Sequence, residues 1–174
     1  GPPGTGKTLS SVLIGKRNNK DVYRVDLSQV VSKYVGETEK NLAKIFNMAE
    51  NKDWILFFDE AESLFSKRTS VSDSKDKFAN QQTAYLLQRV EEYTGLIILA
   101  TNLKPNIDSA FSRRIQTIVN FTIPEPRERK VLWTNSLFGI SDIKKTSIEK
   151  FAKEYKMSGG DIKNVIQYAW LLSK

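Results

Sequence analysis

The octapeptide Gly1-Pro2-Pro3-Gly4-Thr5-Gly6-Lys7-Thr8 constrains this chain more than any other stretch. It has the form G-x-x-x-x-G-K-[ST], in which glycines let the backbone curl until several N–H groups converge. The next residues, Thr8 to Arg17, carry Leu9, Val12 and Leu13 at helical spacing, so the loop feeds a helix. Converging amides at the positive end of a helix favour an anion. Lys7 would reach the β- and γ-phosphates of a nucleoside triphosphate, and the Thr8 hydroxyl would hold Mg²⁺. Pro3, Gly4, Thr5, Gly6 and Leu9 complete the expected cradle. Such a loop ordinarily joins a buried strand to a helix. No strand precedes Gly1 here, and a chain starting inside a motif reads as a fragment.

The rest of the sequence fits an α/β sheet. Tyr23 to Leu27 reads as a short strand, and Gly36 to Glu50 as a helix with Leu42, Ile45, Phe46 and Ala49 on one face. Trp54 to Phe58 is a continuous apolar run, the pattern of a strand buried on both faces. A polar, aperiodic stretch, Ser66 to Lys77, predicts a mobile loop before a helix over Phe78 to Tyr93. Leu96 to Ala100 and Ile115 to Phe121 read as two more strands. Pro124 and Pro126 then break the pattern, and helices are expected over about 126–138, 147–156 and 161–173. The expected organisation is a P-loop αβα fold with a parallel sheet over 1–124, lacking the strand before the loop. A small, incomplete helical lid is expected over 125–174.

Composition narrows the chemistry. A length of 174 residues allows one well-cored domain, alone or with a small appendage. Hydrophobic residues at 40% and charged residues at 27% suit a globular protein, and no apolar run is long enough for a membrane span. A cytoplasmic location is the expectation. With no cysteine and no histidine, disulfides, thiolate metal sites and imidazole bases are excluded. Catalysis must come from carboxylates, Lys, Arg, Asn and backbone amides. The net charge of +7 is spread among acidic residues rather than gathered in a block, which argues against direct nucleic-acid binding.

Five further positions carry candidate chemistry. Asp59 and Glu60 end the apolar run, at the strand edge where ligands bind in open α/β sheets. Asp59 would orient Mg²⁺ and its waters. Glu60 would polarise the water that attacks phosphorus, being the strongest base candidate in a chain without histidine. Asn102 closes the next strand, where its amide could bond both that water and the γ-phosphate. Arg113 and Arg114 stand before the last predicted strand, far from their own P-loop in this topology. They are expected to complete a neighbouring subunit's site by neutralising charge on the transferred phosphoryl group.

In this order the motifs resemble the AAA family of AAA+ ATPases over essentially the whole chain. Val31 to Leu42 is similar to the first pore loop and following helix of microtubule-severing and ESCRT-disassembling members. That resemblance implies that Tyr34, with Val35 beside it, lines a central channel and grips an extended polypeptide. Ile107 to Arg114 resembles the second region of homology with its arginine fingers, and Asn102 matches sensor 1. Ser158-Gly159-Gly160-Asp161-Ile162 is similar to the lid's Ser-Gly-Ala-Asp motif, whose small residues pack near adenine and ribose, with Gly160 where Ala is usual. No arginine takes the sensor 2 position, which separates the chain from clamp-loader and initiator types. Lys77 to Tyr93 looks more like bacterial AAA ATPases, including those encoded beside contractile injection systems. Ser66 to Lys75 corresponds to the second pore loop.

The resemblance implies an ATP- and Mg²⁺-dependent hydrolase that self-associates into a ring, as a homohexamer, and remodels or threads a protein substrate. Two alternatives belong to other classes. One is a nucleic-acid motor or loader on the same fold, which turnover stimulated by DNA or RNA but not by unfolded protein would support. The other is an ATP-binding scaffold without turnover, which Glu60, Asn102 and the paired arginines oppose.

Overall fold

The computed structural model describes residues 1–30, 36–61, 74–102, 114–138 and 145–173. The described elements run α1 (Lys7–Asn18), β1 (Val22–Asp26), α2 (Leu27–Val30), α3 (Glu37–Lys52), β2 (Ile55–Asp59), α4 (Ser74–Glu92), β3 (Ile97–Leu99), α5 (Pro126–Leu137), α6 (Lys145–Glu154) and α7 (Gly159–Leu172). Two compact units emerge: Thr8–Ile118, and Gly1–Lys7 together with Val119–Lys174. The P-loop thus clusters with the C-terminal helices.

The first unit is built on a parallel sheet in the order β1-β2-β3. Its centre is β2, where Ile55, Leu56, Phe57 and Phe58 are all buried, as a two-sided parallel strand requires. The register pairs Val25 with Phe58 and Asp26 with Asp59, and on the other side Phe58 with Leu99. The acidic ends of β1 and β2, Asp26 and Asp59, therefore fall side by side at one edge of the sheet. α3 buries Leu42, Phe46 and Ala49 against this layer, with Ile45 half-buried beside them. Phe46 meets Phe58 at a ring separation of 6.1 Å and Tyr93 edge-on at 5.7 Å. Each such aromatic burial is worth about 1.5–3 kcal/mol. The Tyr93 hydroxyl donates to the Trp54 carbonyl, pinning the end of α4 to the start of β2. Burial, then the nearby Asp53 and Glu50 charges, push the Tyr93 phenol above its ordinary value.

The second unit holds its own core of Trp133, Leu137, Ile148, Ala152, Ile162 and Ile166. Arg129, buried on α5, donates its Nε to the Ala152 carbonyl at 2.8 Å and its Nη1 to the Pro124 carbonyl. One guanidinium thus ties the entry of α5 to the end of α6, and Lys130 bridges to Glu149 at 2.6 Å alongside.

Two expectations need correction. Ile115 to Phe121 is not a strand: the described residues 114–125 form no regular element, and Ile118 and Val119 remain 68% and 69% exposed. A strand needs a neighbour for its amides and carbonyls, and no described segment forms a ladder with this one. The end of the predicted loop, Ser74 to Lys77, is the first turn of α4. The helix expected after the loop is present as α1, with Leu9, Val12 and Leu13 on it at 63%, 54% and 55% exposure.

Candidate functional site

The P-loop is shaped by two left-handed glycines, Gly4 at φ 70° and Gly6 at φ 101°, conformations that carry a steric penalty for any residue with a Cβ. Thr5 Oγ1 donates to the Pro2 carbonyl at 2.7 Å, and the Lys7 ammonium donates to the carbonyls of Gly1 and Pro2, both at 2.7 Å. The loop is therefore held in a curl by its own side chains, with a cation resting on it.

The same unit brings the C-terminal small-residue motif onto this loop. Gly160 donates its amide to the Gly4 carbonyl at 2.9 Å. A Cβ on Gly160 would stand 2.9 Å from Gly4 Cα, and one on Gly4 would overlap Ser158 Oγ. Gly159 approaches as well, with the position of its missing Cβ 3.6 Å from the Gly4 carbonyl oxygen. Ser158 and Asp161 form a reciprocal cap on α7 that fixes the start of this segment's helix. Ser158 N and Oγ donate to Asp161 Oδ2 at 2.9 and 2.7 Å, and the Asp161 amide returns to Ser158 Oγ at 3.2 Å. The Ser158 hydroxyl first, then its amide, hold the Asp161 carboxyl below the usual carboxylate range. The sequence pattern S-x-x-D before an apolar run could have disclosed this cap.

In the other unit, Asp59 ends β2 and Glu60 follows it with φ 52°, a left-handed backbone on a residue that gains nothing sterically from it. Non-glycine residues held this way cluster at functional sites. The Glu60 amide donates to Asp59 Oδ1 at 3.1 Å, and Ala61 N bonds the Ala100 carbonyl at 2.8 Å, so the turn after β2 is fastened to the end of β3. Asp59 Oδ2 accepts from Arg24 Nη2 at 2.7 Å. Arg24 was not among the sequence candidates. Its pairing depends on sheet register, which no local pattern encodes.

The remaining candidates are placed as follows. Thr8 and Leu9 are exposed on the first turn of α1, and Pro3 is exposed on the loop. Asn102 is exposed just beyond β3. Arg114 makes an ion pair with Glu91 near the end of α4. Tyr34, Val35 and Arg113, and nearly all of the predicted second pore loop, lie outside the described residues.

The donor set fits a hard divalent cation. Thr8 and Asp59 offer only oxygen, and among the described residues no cluster of three or more acidic, His or Cys ligands would build an all-protein cage. Mg²⁺ characteristically takes one or two protein oxygens and completes its shell with phosphate and water.

A curled P-loop running into a helix, and a parallel sheet ending in adjacent carboxylates, define a P-loop nucleotide-binding ATPase fold. The match to a family model narrows this: residues 1–123 fit the ATPase family associated with various cellular activities (AAA), and the chain belongs to that family. It is 31% identical over 180 residues to cell division protein C of Sulfolobus acidocaldarius, covering 97% of this chain and 48% of that protein. It is 35% identical over 140 residues to vacuolar protein sorting-associated protein 4B of Pongo abelii, covering 76% of this chain and 31% of the relative. Among solved structures, the FIGL-1 AAA domain in complex with ADP superposes with a TM-score of 0.80 at 27% identity, over 98% of this chain and 58% of that one. The chain thus spans about half or less of the curated relatives named here. Among the described residues no helix is long and apolar enough to cross a membrane.

Proposed function

We propose that this chain is the ATP-hydrolysing module of a ring-forming machine that remodels or threads proteins, working in the cytoplasm. Residues 1–124 act as the nucleotide-binding subdomain and 125–174 as its lid. The observation that carries the reading is Glu60, held in a left-handed backbone directly after Asp59 at the end of a buried parallel strand, in a chain with a complete P-loop.

In this reading the amides of Pro3 to Gly6 and the Lys7 ammonium bind the phosphates, and Leu9, Gly159 and Gly160 border the nucleoside. Thr8 and Asp59 would hold Mg²⁺, which when bound supplies positive charge to the phosphate oxygens. Glu60 accepts the proton of the attacking water, and Asn102 orients that water by hydrogen bonding. Arg113 and Arg114 reach the site of an adjoining protomer and offset charge on the transferred phosphoryl group. In the free chain Arg114 is paired with Glu91, so assembly would exchange one acidic partner for another. Tyr34 and Val35 contact the polypeptide in the channel.

The test is complementation. Protomers carrying Lys7→Ala are mixed with protomers carrying Arg113→Ala and Arg114→Ala, each inactive alone. Recovery of ATP hydrolysis in mixed rings is expected, because each type supplies what the other lacks. Mixed rings that assemble but stay inactive would refute the shared site. Turnover raised by DNA or RNA and indifferent to unfolded protein would favour a nucleic-acid motor instead.

A further inference from the structure

Both carboxylate oxygens of Asp59 are engaged: Oδ1 accepts from the Glu60 amide at 3.1 Å and Oδ2 from the Arg24 guanidinium at 2.7 Å. The first contact is local and fixed by the turn. The second reaches across the sheet from a side chain that is 64% exposed, while that of Asp59 is 18% exposed. Residues two apart on a strand share a face, so Arg24 and Asp26 project to the same side of β1. The register places Asp26 opposite Asp59, so Asp59 lies diagonally across from Arg24 on that face. Three charges therefore meet at one sheet edge, and Arg24 is the only cation of the three.

The geometry points to Arg24 as a resident counter-ion of Asp59, a positioning residue that tunes how tightly the site takes a divalent cation. This rests on the reading that Asp59 serves that cation. Arg24 prevents two neighbouring carboxylates from repelling each other before nucleotide arrives. Like charges directly opposite on adjacent strands destabilise a sheet. When a dication approaches Asp59, Arg24 opposes it electrostatically and must yield Oδ2. Its exposure leaves it free to turn into water, so the exchange needs no backbone movement. Metal affinity is accordingly lower than a lone carboxylate would give, and Asp59 stays ordered when the site is empty.

The experiment measures free Mn²⁺ by electron paramagnetic resonance, titrated into the protein saturated with a non-hydrolysable ATP analogue. Four variants are compared with the parent: Arg24→Met, Arg24→Gln, Asp59→Asn, and Asp59→Asn combined with Arg24→Met. Arg24→Met and Arg24→Gln should each tighten Mn²⁺ binding about two- to fivefold, the size expected of one exposed ion pair. The gain should shrink as ionic strength rises, and it should vanish in the Asp59→Asn background. Arg24 substitutions that leave Mn²⁺ affinity unchanged, or weaken it, would overturn the counter-ion role even if they lower thermal stability. A separate result addresses the underlying reading: if Asp59→Asn alone binds Mn²⁺ as well as the parent, Asp59 does not serve the cation at all.

Discussion

The amide of Gly160 bonds the carbonyl of Gly4 at 2.9 Å, so the first turn of α7 sits backbone to backbone on the P-loop. A side chain on either glycine would occupy space that the other strand of chain already fills. Gly160→Ala brings two opposing effects. Alanine favours the helix by about 1 kcal/mol over glycine, whereas forcing a methyl into a packed contact costs about 1–3 kcal/mol. The clash is with Gly4 backbone at 2.9 Å, which cannot rotate away, so the second effect wins. Thermal unfolding should report a net loss of about 1 kcal/mol, and amide exchange at position 160 should accelerate.

The α7 cap makes a pH-dependent prediction. Hydrogen bonds from Ser158 lower the Asp161 carboxyl in the folded chain below 3.8. A depressed folded value stabilises at pH above the unfolded one, and that contribution disappears as pH falls through the folded value. Asp161→Asn should therefore be less stable than the parent at neutral pH. The gap between them should close in acid below about pH 4, measured by denaturant unfolding at a series of pH values.

Tyr93 predicts the opposite slope. Its phenol is raised by burial first and by the Asp53 and Glu50 charges next, so the contribution is complete below the unfolded value near 10 and is lost as pH climbs through the folded one. Tyr93→Phe removes the bond to the Trp54 carbonyl, a cost of about 1 kcal/mol at neutral pH. It should also flatten the alkaline decline of stability, followed by thermal melts between neutral pH and strong base.

Glu60→Gln keeps the size of the side chain but not its basicity. Hydrolysis should fall by about 10²–10⁴-fold, the usual contribution of a general base, with ATP binding retained. Single-turnover measurements with labelled ATP check both halves, and undiminished hydrolysis would remove Glu60 from the mechanism.

What the sequence could disclose depended on the range of the interaction. β2 was legible because Ile55 to Phe58 are apolar on both faces, a pattern that exposed strands do not have. The P-loop was legible because its glycines and Lys7 are contiguous. Ile115 to Phe121 also carries β-branched and aromatic residues, yet forms no strand, because composition says nothing of whether a hydrogen-bonding neighbour is at hand. The Arg24–Asp59 pair spans 35 positions and exists only once β1 and β2 adopt their register. The left-handed turn at Glu60 was equally hidden: no residue preference signals it, since it is imposed by the bonds that fasten Ala61 to Ala100.

The Lys7 ammonium, already resting on the carbonyls of Gly1 and Pro2, has given up part of its hydration before any ligand arrives. An incoming triphosphate then swaps one set of oxygen acceptors for another instead of stripping water from a bare cation or ordering a slack loop. Encounter should consequently proceed at a speed governed by diffusion and long-range charge. Differences in affinity among nucleotides would then reside in how long each one stays.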